Sequence, residues 1–254
     1  MFMFYRIFCY VCWNKFLNFE CSFFDFYYMK KFIHTTDFED FEIPVRQIVD
    51  GKRVYITPAG PIYPSITSIL GSQPKPGLDE WRKNVGDEEA NKITKEASSL
   101  GSTVHLLCEK YLYNHELKSN DKEAISVFNR LRFLLSNINN IIGLEIPLYS
   151  DKLKVAGTTD CIAEYNGVLS VIDFKTSRKP KKEEWIEDYY IQAFFYLAAF
   201  FEMTGAIPEQ IVILIAVRNS FEVQVFKKPV SDVDIYIDKL IKIMKKDPVV
   251  VQTV

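Results

Sequence analysis

Apolar residues alternate on either side of Asp50-Gly51 in "RQIVDGKRVYIT", residues 46–57, which predicts a β-hairpin. "YPSITSIL" then leads into "GSQPKPG", a Pro/Gly-rich break, and into a helical region over residues 78–114 that we expect to be interrupted near Gly101. A further helix fits 121–137. Strand-like runs follow at 144–150, 153–165 and 168–175, then a helix at 183–203, strands at 210–217 and 222–226, and a helix at 231–246. This order predicts an α/β or α+β fold with a central mixed sheet behind an N-terminal helical region. Residues 29–254 are read as one domain, its helical part at about 63–140 and its sheet core at about 141–254. The first 28 residues crowd Phe, Tyr and Trp with neither periodicity and hold three of the five cysteines. We read them as an extension outside the fold, with Met29 opening the domain; their uncharged run, 7–14, is too short to span a bilayer.

Composition narrows the function by exclusion. With 254 residues and 48% hydrophobic content the chain can bury a full-sized core. Lys and Arg (31) nearly balance Asp and Glu (33), so a nucleic-acid partner has to be met by a local basic patch and not by a global field. Cys9, Cys12, Cys21, Cys108 and Cys161 are too scattered for a disulfide framework, which favours a reduced, intracellular setting. No Gly-Lys-Ser/Thr loop is present, so the chain is not a nucleotide-driven motor by itself.

The chemistry is concentrated in "GTTDCIAEYNGVLSVIDFKTS", residues 157–177. Asn166-Gly167 between two β-rich runs predicts a two-residue turn, with Tyr165 facing Val168. Counting outward from that pair sets Asp160 opposite Asp173. Side chains so opposed lie roughly 5 Å apart, and two like charges at that distance repel by about 3 kcal/mol at an effective dielectric of about 20. One acid must keep its proton or a cation must sit between them, and converging carboxylates suit Mg²⁺. Lys175, two residues after Asp173, shares that face. A second turn at Asp151-Lys152 would face Ser150 with Leu153 and put Glu145 opposite Thr158, adding a third carboxylate. Such an assembly suits metal-assisted hydrolysis of a phosphodiester, with Lys175 steadying nucleophile or developing charge. The plainer alternative is a surface hairpin with a wet polar face; apolar Ile162, Val171 and Leu169 on the acids' own face argue against it.

Glu145, "GTTD", "IDFKTS" and "QAFFY" in this order resemble the PD-(D/E)XK nuclease superfamily, specifically its RecB-like exonuclease branch. Upstream, "YPSITSIL", Trp81 and "GSTVHLLCEKYL" resemble the mitochondrial genome maintenance exonuclease type and its phage relatives. The resemblance implies a restriction-endonuclease-like α/β core. It implies Asp160 and Asp173 as metal ligands with the main-chain carbonyl of Phe174, Lys175 as the catalytic lysine, His105 as the histidine that approaches the metal from the helical side, and Glu145 as a further catalytic acid. The iron–sulfur branches of the family need cysteines near the C-terminus, and none follows Cys161, so no such cluster is expected. Relatives commonly carry Arg-Gly-Thr where this chain has Leu100-Gly101-Ser102, which takes away one phosphate-binding arginine.

Other residues are weighed against plain packing. Gln192 and Tyr196 sit four apart on a helix with Tyr189 one turn earlier; they either support the site, touch the nucleic-acid backbone, or pack among Phe194, Phe195 and Phe200. Arg178, Lys179, Lys181 and Lys182 form the densest basic cluster and lead away from the acids, a phosphate track or a solvated loop. Trp81 could stack on a base or pack against the helices. Ser65 and Thr67 could cap a turn or touch phosphate. The expectation is a Mg²⁺- or Mn²⁺-dependent DNA exonuclease of single strands or free ends, serving replication, recombination or repair, with no membrane partner. A structure-selective endonuclease and a non-catalytic nucleic-acid-binding module are the alternatives.

Overall fold

Asp50 and Gly51 both take left-handed backbone, with φ of 50° and 75°, as a two-residue I′ turn demands. They join β1 (Val45–Val49) to β2 (Lys52–Ile56), and β3 (Ile62–Pro64) completes a small antiparallel sheet. The structure is a computed structural model that describes residues 30–35 and 41–246. The expectation for residues 1–28 lies outside the described residues. The described residues from Phe32 on belong to one compact unit.

Four helices follow: α1 (Ile66–Gly71), α2 (Pro76–Val85), α3 (Asp87–Leu112) and α4 (Lys122–Leu135). The helical region is interrupted at Gly86, whose φ of 83° only glycine adopts freely, and not at Gly101. Gly101 stays helical within α3 and faces Thr176, whose Oγ1 would lie 3.7 Å from an added Cβ. α4 ends at Leu135, earlier than the pattern suggested, and a strand begins at once. The sheet core therefore starts at Ile138.

The main sheet has the order β4 (Ile138–Ser150), β5 (Val155–Tyr165), β6 (Val168–Ser177), β7 (Gln210–Val217) and β8 (Val223–Pro229). All its pairs are antiparallel except β6 with β7. That parallel pair needs a crossover, supplied by α5 (Glu187–Thr204) after a short 3₁₀ turn at Glu183–Trp185; α6 (Val233–Lys246) closes the chain. α5 carries nine buried residues from Tyr190 to Phe200, because a helix laid across a sheet and covered by other elements is apolar nearly all round. β7 is buried along seven of its eight positions for the same reason.

The sheet separates two cores. On one face α3 and α4 pack Val104, Phe128 and Leu131 against Cys161, Ile172 and Phe174. On the other, α1, α5 and α6 bring Ile66, Phe194, Phe200 and Leu240 onto Ile162, Val171 and Ile213. Tyr55 and Tyr63 fasten the small sheet to β5 at Ala156. No described helix is long and apolar enough to cross a membrane.

Candidate active site

Asn166 and Gly167 turn with φ of 54° and 77°, and the pairs run from Tyr165↔Val168 to Cys161↔Ile172. The next residues in step are Asp160 and Asp173. There the ladder stops and side chains take over: Phe174 donates its N–H to Asp160 Oδ2 at 2.7 Å. Asp173 is 1% exposed, and Lys175 Nζ lies 2.6 Å from its Oδ1 and 2.5 Å from its Oδ2. Only the contact to Oδ1 has hydrogen-bond geometry, so Oδ2 is buried with no protein donor. The Tyr189 ring on α5 backs the ammonium, 5.2 Å from Nζ.

Glu145 reaches the group by another register than the one expected. The β4–β5 turn takes four residues, Asp151 to Lys154, and closes on Ser150↔Val155; Thr158 faces Pro147. Glu145, between the pairs Leu144↔Cys161 and Ile146↔Thr159, thus falls across from Asp160 and not from Thr158. Leu153 N–H donates to Ser150 Oγ (3.0 Å), and Glu202 of α5 accepts from Ser150 Oγ (2.7 Å) and from the main-chain N–H of Asp151 (3.0 Å) and Lys152 (3.2 Å). A tie to a helix fifty residues away sets this turn, so a local rule misses it. Glu145 itself adopts φ of 51°, an uncommon backbone for a residue with a side chain, of the kind that gathers at functional sites.

His105, on α3, completes the group. Its ring packs edge-on to Phe174 with centroids 6.2 Å apart, and its Nδ1 stands 3.4 Å from Asp160 Oδ1. One ligand atom from each of His105, Glu145 and Asp160 lies within 4.8 Å of the others. Burial works against the charge of Asp160, but His105, Lys175 and the Phe174 N–H together hold its carboxyl below the usual range. Burial, and then Asp160, push Asp173 up to about 6 against the pull of Lys175. Glu145, although its side chain reaches solvent, is pushed up to about 7 by the same two causes. His105 and Lys175 are raised in spite of burial, by Asp160 and Asp173 respectively.

Residues 80–243 match the family model of the PD-(D/E)XK nuclease superfamily. The chain belongs to that superfamily. Mitochondrial genome maintenance exonuclease 1 of Mus musculus is 30% identical over 128 residues, 46% of this chain and 38% of the relative. Its counterparts in Xenopus tropicalis and Homo sapiens are 28% identical over 153 residues (56% and 43%) and 29% identical over 131 residues (47% and 38%). The chain thus spans less than half of the length of the curated relatives it matches.

PD-(D/E)XK nucleases use divalent metal ions, and the donor set here fits one. Three ligand-bearing groups converge, and beside them Oδ2 of Asp173, buried and ion-paired with Lys175, accepts no hydrogen bond and keeps a lone pair for a cation. At Phe174 the main-chain contact with the site is through N–H; its carbonyl as a ligand remains an expectation of the resemblance. Cys108 and Cys161 are free and packed in the core on the α3 side of the sheet, and burial, then Asp160, raise their thiols.

The cleft, about 470 Å³, is lined by His105, Glu109, Glu145, Asp160, Lys175 and Gln192, together with Thr67, Ser102 and Thr158. Gln192 donates to Tyr196 Oη at 3.0 Å. Tyr196 is 1% exposed, which rules out contact with a nucleic-acid backbone, and a Cβ on Gly157 would meet its ring at 2.8 Å. Gly157 is therefore a close-approach glycine under the helix. Trp81 is half-buried and lies outside the cleft lining, as do Arg178, Lys179, Lys181 and Lys182. Within that cluster Lys181 N–H donates to Gln224 (2.8 Å), and Lys182 sits over the Trp185 ring (5.1 Å). Ser65 is fully buried and bonded to Thr67 at 2.8 Å, leaving Thr67 as the member that meets the cleft. Two residues that sequence reasoning did not single out, Arg46 and Arg53, also line it. The alternation around Asp50-Gly51 placed them on one face of a hairpin, yet nothing local says what that face meets.

Proposed function

We propose that this chain is a divalent-metal-dependent DNA exonuclease that hydrolyses phosphodiesters of single strands or free ends, in replication, recombination or repair. The observation that carries the reading is the convergence of His105, Glu145 and Asp160 beside the buried Asp173–Lys175 pair. The name of the matched relatives, an exonuclease, supports action from an end.

In this reading His105, Asp160 and Asp173 hold the ion, with Glu145 and the Phe174 carbonyl as the further oxygens. Bound there, Mg²⁺ or Mn²⁺ would activate a water and polarise the phosphoryl oxygen. Lys175, hydrogen-bonded and ion-paired with Asp173, is placed to act as a donor. Its ammonium orients the attacking oxygen and meets negative charge as the transition state develops. Phe174 N–H fixes one oxygen of Asp160, leaving the other to face His105 and the cleft. Gln192, anchored on Tyr196, presents an amide to the same space.

The test is an end-labelled single-stranded DNA, linear or covalently closed, incubated with and without Mg²⁺ beside Asp160→Asn and Lys175→Ala proteins. Metal-dependent shortening of the linear strand alone, absent in both variants, is the expected result. Cutting of the closed circle would make the protein an endonuclease, and binding without cutting would leave only a nucleic-acid-binding module.

A further inference from the structure

Two arginines reach the cleft from the small sheet and take no part in either core. Across β1 and β2, Arg46 stands opposite Tyr55 and Arg53 opposite Ile48, so the two-residue period puts both guanidiniums on the hairpin face that carries Tyr55. Tyr55 turns that face toward the site. It is fully buried, and its hydroxyl lies 2.9 Å from Thr158 Oγ1, two residues before Asp160 on β5.

Both arginines line the same cleft as the acids Glu109, Glu145 and Asp160. The other cations in the cleft are engaged: His105 faces Asp160, and Lys175 is bound to Asp173. Among the described residues neither Arg46 nor Arg53 is held in a side-chain hydrogen bond or ion pair, although the charge of Arg46 is felt at Glu145. A group of acids by itself repels a polyanion, so a strand that lies on it needs fixed positive charge elsewhere. A planar guanidinium matches a phosphate with two parallel hydrogen bonds. Residues placed on a cross-strand diagonal, as these are, stand roughly 7–8 Å apart, close enough to hold one phosphate or two successive ones.

We propose that Arg46 and Arg53 form a phosphate clamp that grips a non-scissile backbone phosphodiester and seats its neighbour over the acids. The inference rests on the nuclease reading and deepens it, by naming what holds the strand. Arg178, Lys179 and Lys182, although more concentrated, lie outside the cleft and are not needed for this contact.

The experiment compares Arg46→Gln, Arg53→Gln, the double variant and the Arg→Lys pair with the parent. A fluorescent single-stranded oligonucleotide is titrated in EDTA across a salt series, and linear-strand cleavage is followed in Mg²⁺. Each Gln variant is expected to raise Kd and KM about tenfold and to flatten the plot of log affinity against log salt by about 0.7 for each phosphate no longer gripped, with kcat within about twofold and thermal unfolding unchanged. Lysine restores the salt slope but only part of the affinity, because it keeps charge without the fork. Binding and salt slope equal to the parent's would overturn the clamp while leaving the nuclease intact. So would a fall in kcat and in Mn²⁺ affinity, measured without DNA, at unchanged KM; the arginines would then serve the acids and not the strand. A parent protein that neither binds nor cuts any strand overturns the nuclease reading and the clamp with it.

Discussion

The β5–β6 hairpin closes on two left-handed residues, Asn166 and Gly167, and needs no outside help to put Asp160 in step with Asp173. The β4–β5 hairpin beside it uses four turn residues and borrows the carboxylate of Glu202 from α5 to hold them. Both turns deliver an acid to one cleft, but the first acid is placed by local chemistry and the second by a contact between distant elements. The first arrangement is as robust as the hairpin itself. The second makes Glu145 depend on how α5 sits on the sheet, and its left-handed backbone shows what that placement demands.

The sharpest way to break this comparison is to remove one acid at a time. Asp160→Asn should lower cleavage by on the order of a thousandfold, and Glu145→Gln by about 10- to 100-fold, both measured as kcat/KM on linear single-stranded DNA. Equal losses would mean that the two hairpins contribute alike. Next comes the tie itself: Glu202→Gln should cost about 1–2 kcal/mol of stability in urea unfolding and weaken Mn²⁺ binding, although Glu202 does not line the cleft. Unchanged Mn²⁺ affinity would show that Glu145 is positioned without it. At the local turn, Gly167→Ala puts a side chain at φ of 77° and should cost about 1 kcal/mol while metal affinity stays that of the parent. A metal-affinity loss larger than that of Glu202→Gln would reverse the ranking.

The smallest effect is a pH dependence at Glu145. Its carboxyl titrates at about 7 in the fold against the ordinary 4.5, so the folded protein binds this proton more tightly than the unfolded chain. The metal-free protein therefore loses stability as pH rises from about 4.5 to about 7, and the loss is complete above that range. Glu145→Gln should be more stable than the parent at pH 8, by on the order of 1 kcal/mol after discounting for solvent screening, and equal to it near pH 4. A variant less stable than the parent at pH 8 would show that the carboxylate is held by partners and not penalised.

Much of the site was legible because its spacing is local. Asn-Gly names its own turn, Asp173 and Lys175 share a face by the period of a strand, and Gln192 and Tyr196 share one by the period of a helix. What misled was glycine and distance. Gly101 looked like a helix break, but in α3 it is a residue without a side chain beside Thr176, and the break fell at Gly86, where a positive φ is needed. Tyr196 could have faced solvent; only the approach of α5 to Gly157 shows that its ring fills the space a Cβ would take.

The residue pattern by itself determined the mixed sheet, the β5–β6 register and the pairing of Asp160 with Asp173 and Lys175, since each depends on backbone periods and a two-residue turn. Tertiary structure alone decided that Glu145 falls across from Asp160 and that Arg46 and Arg53 line the cleft, and it set the contact of His105 with Asp160 that the family resemblance, and no local spacing, had implied. Those contacts join residues from about 15 to more than 100 positions apart, and at such separations it is the packing of whole elements, not any local preference, that sets which side chains meet.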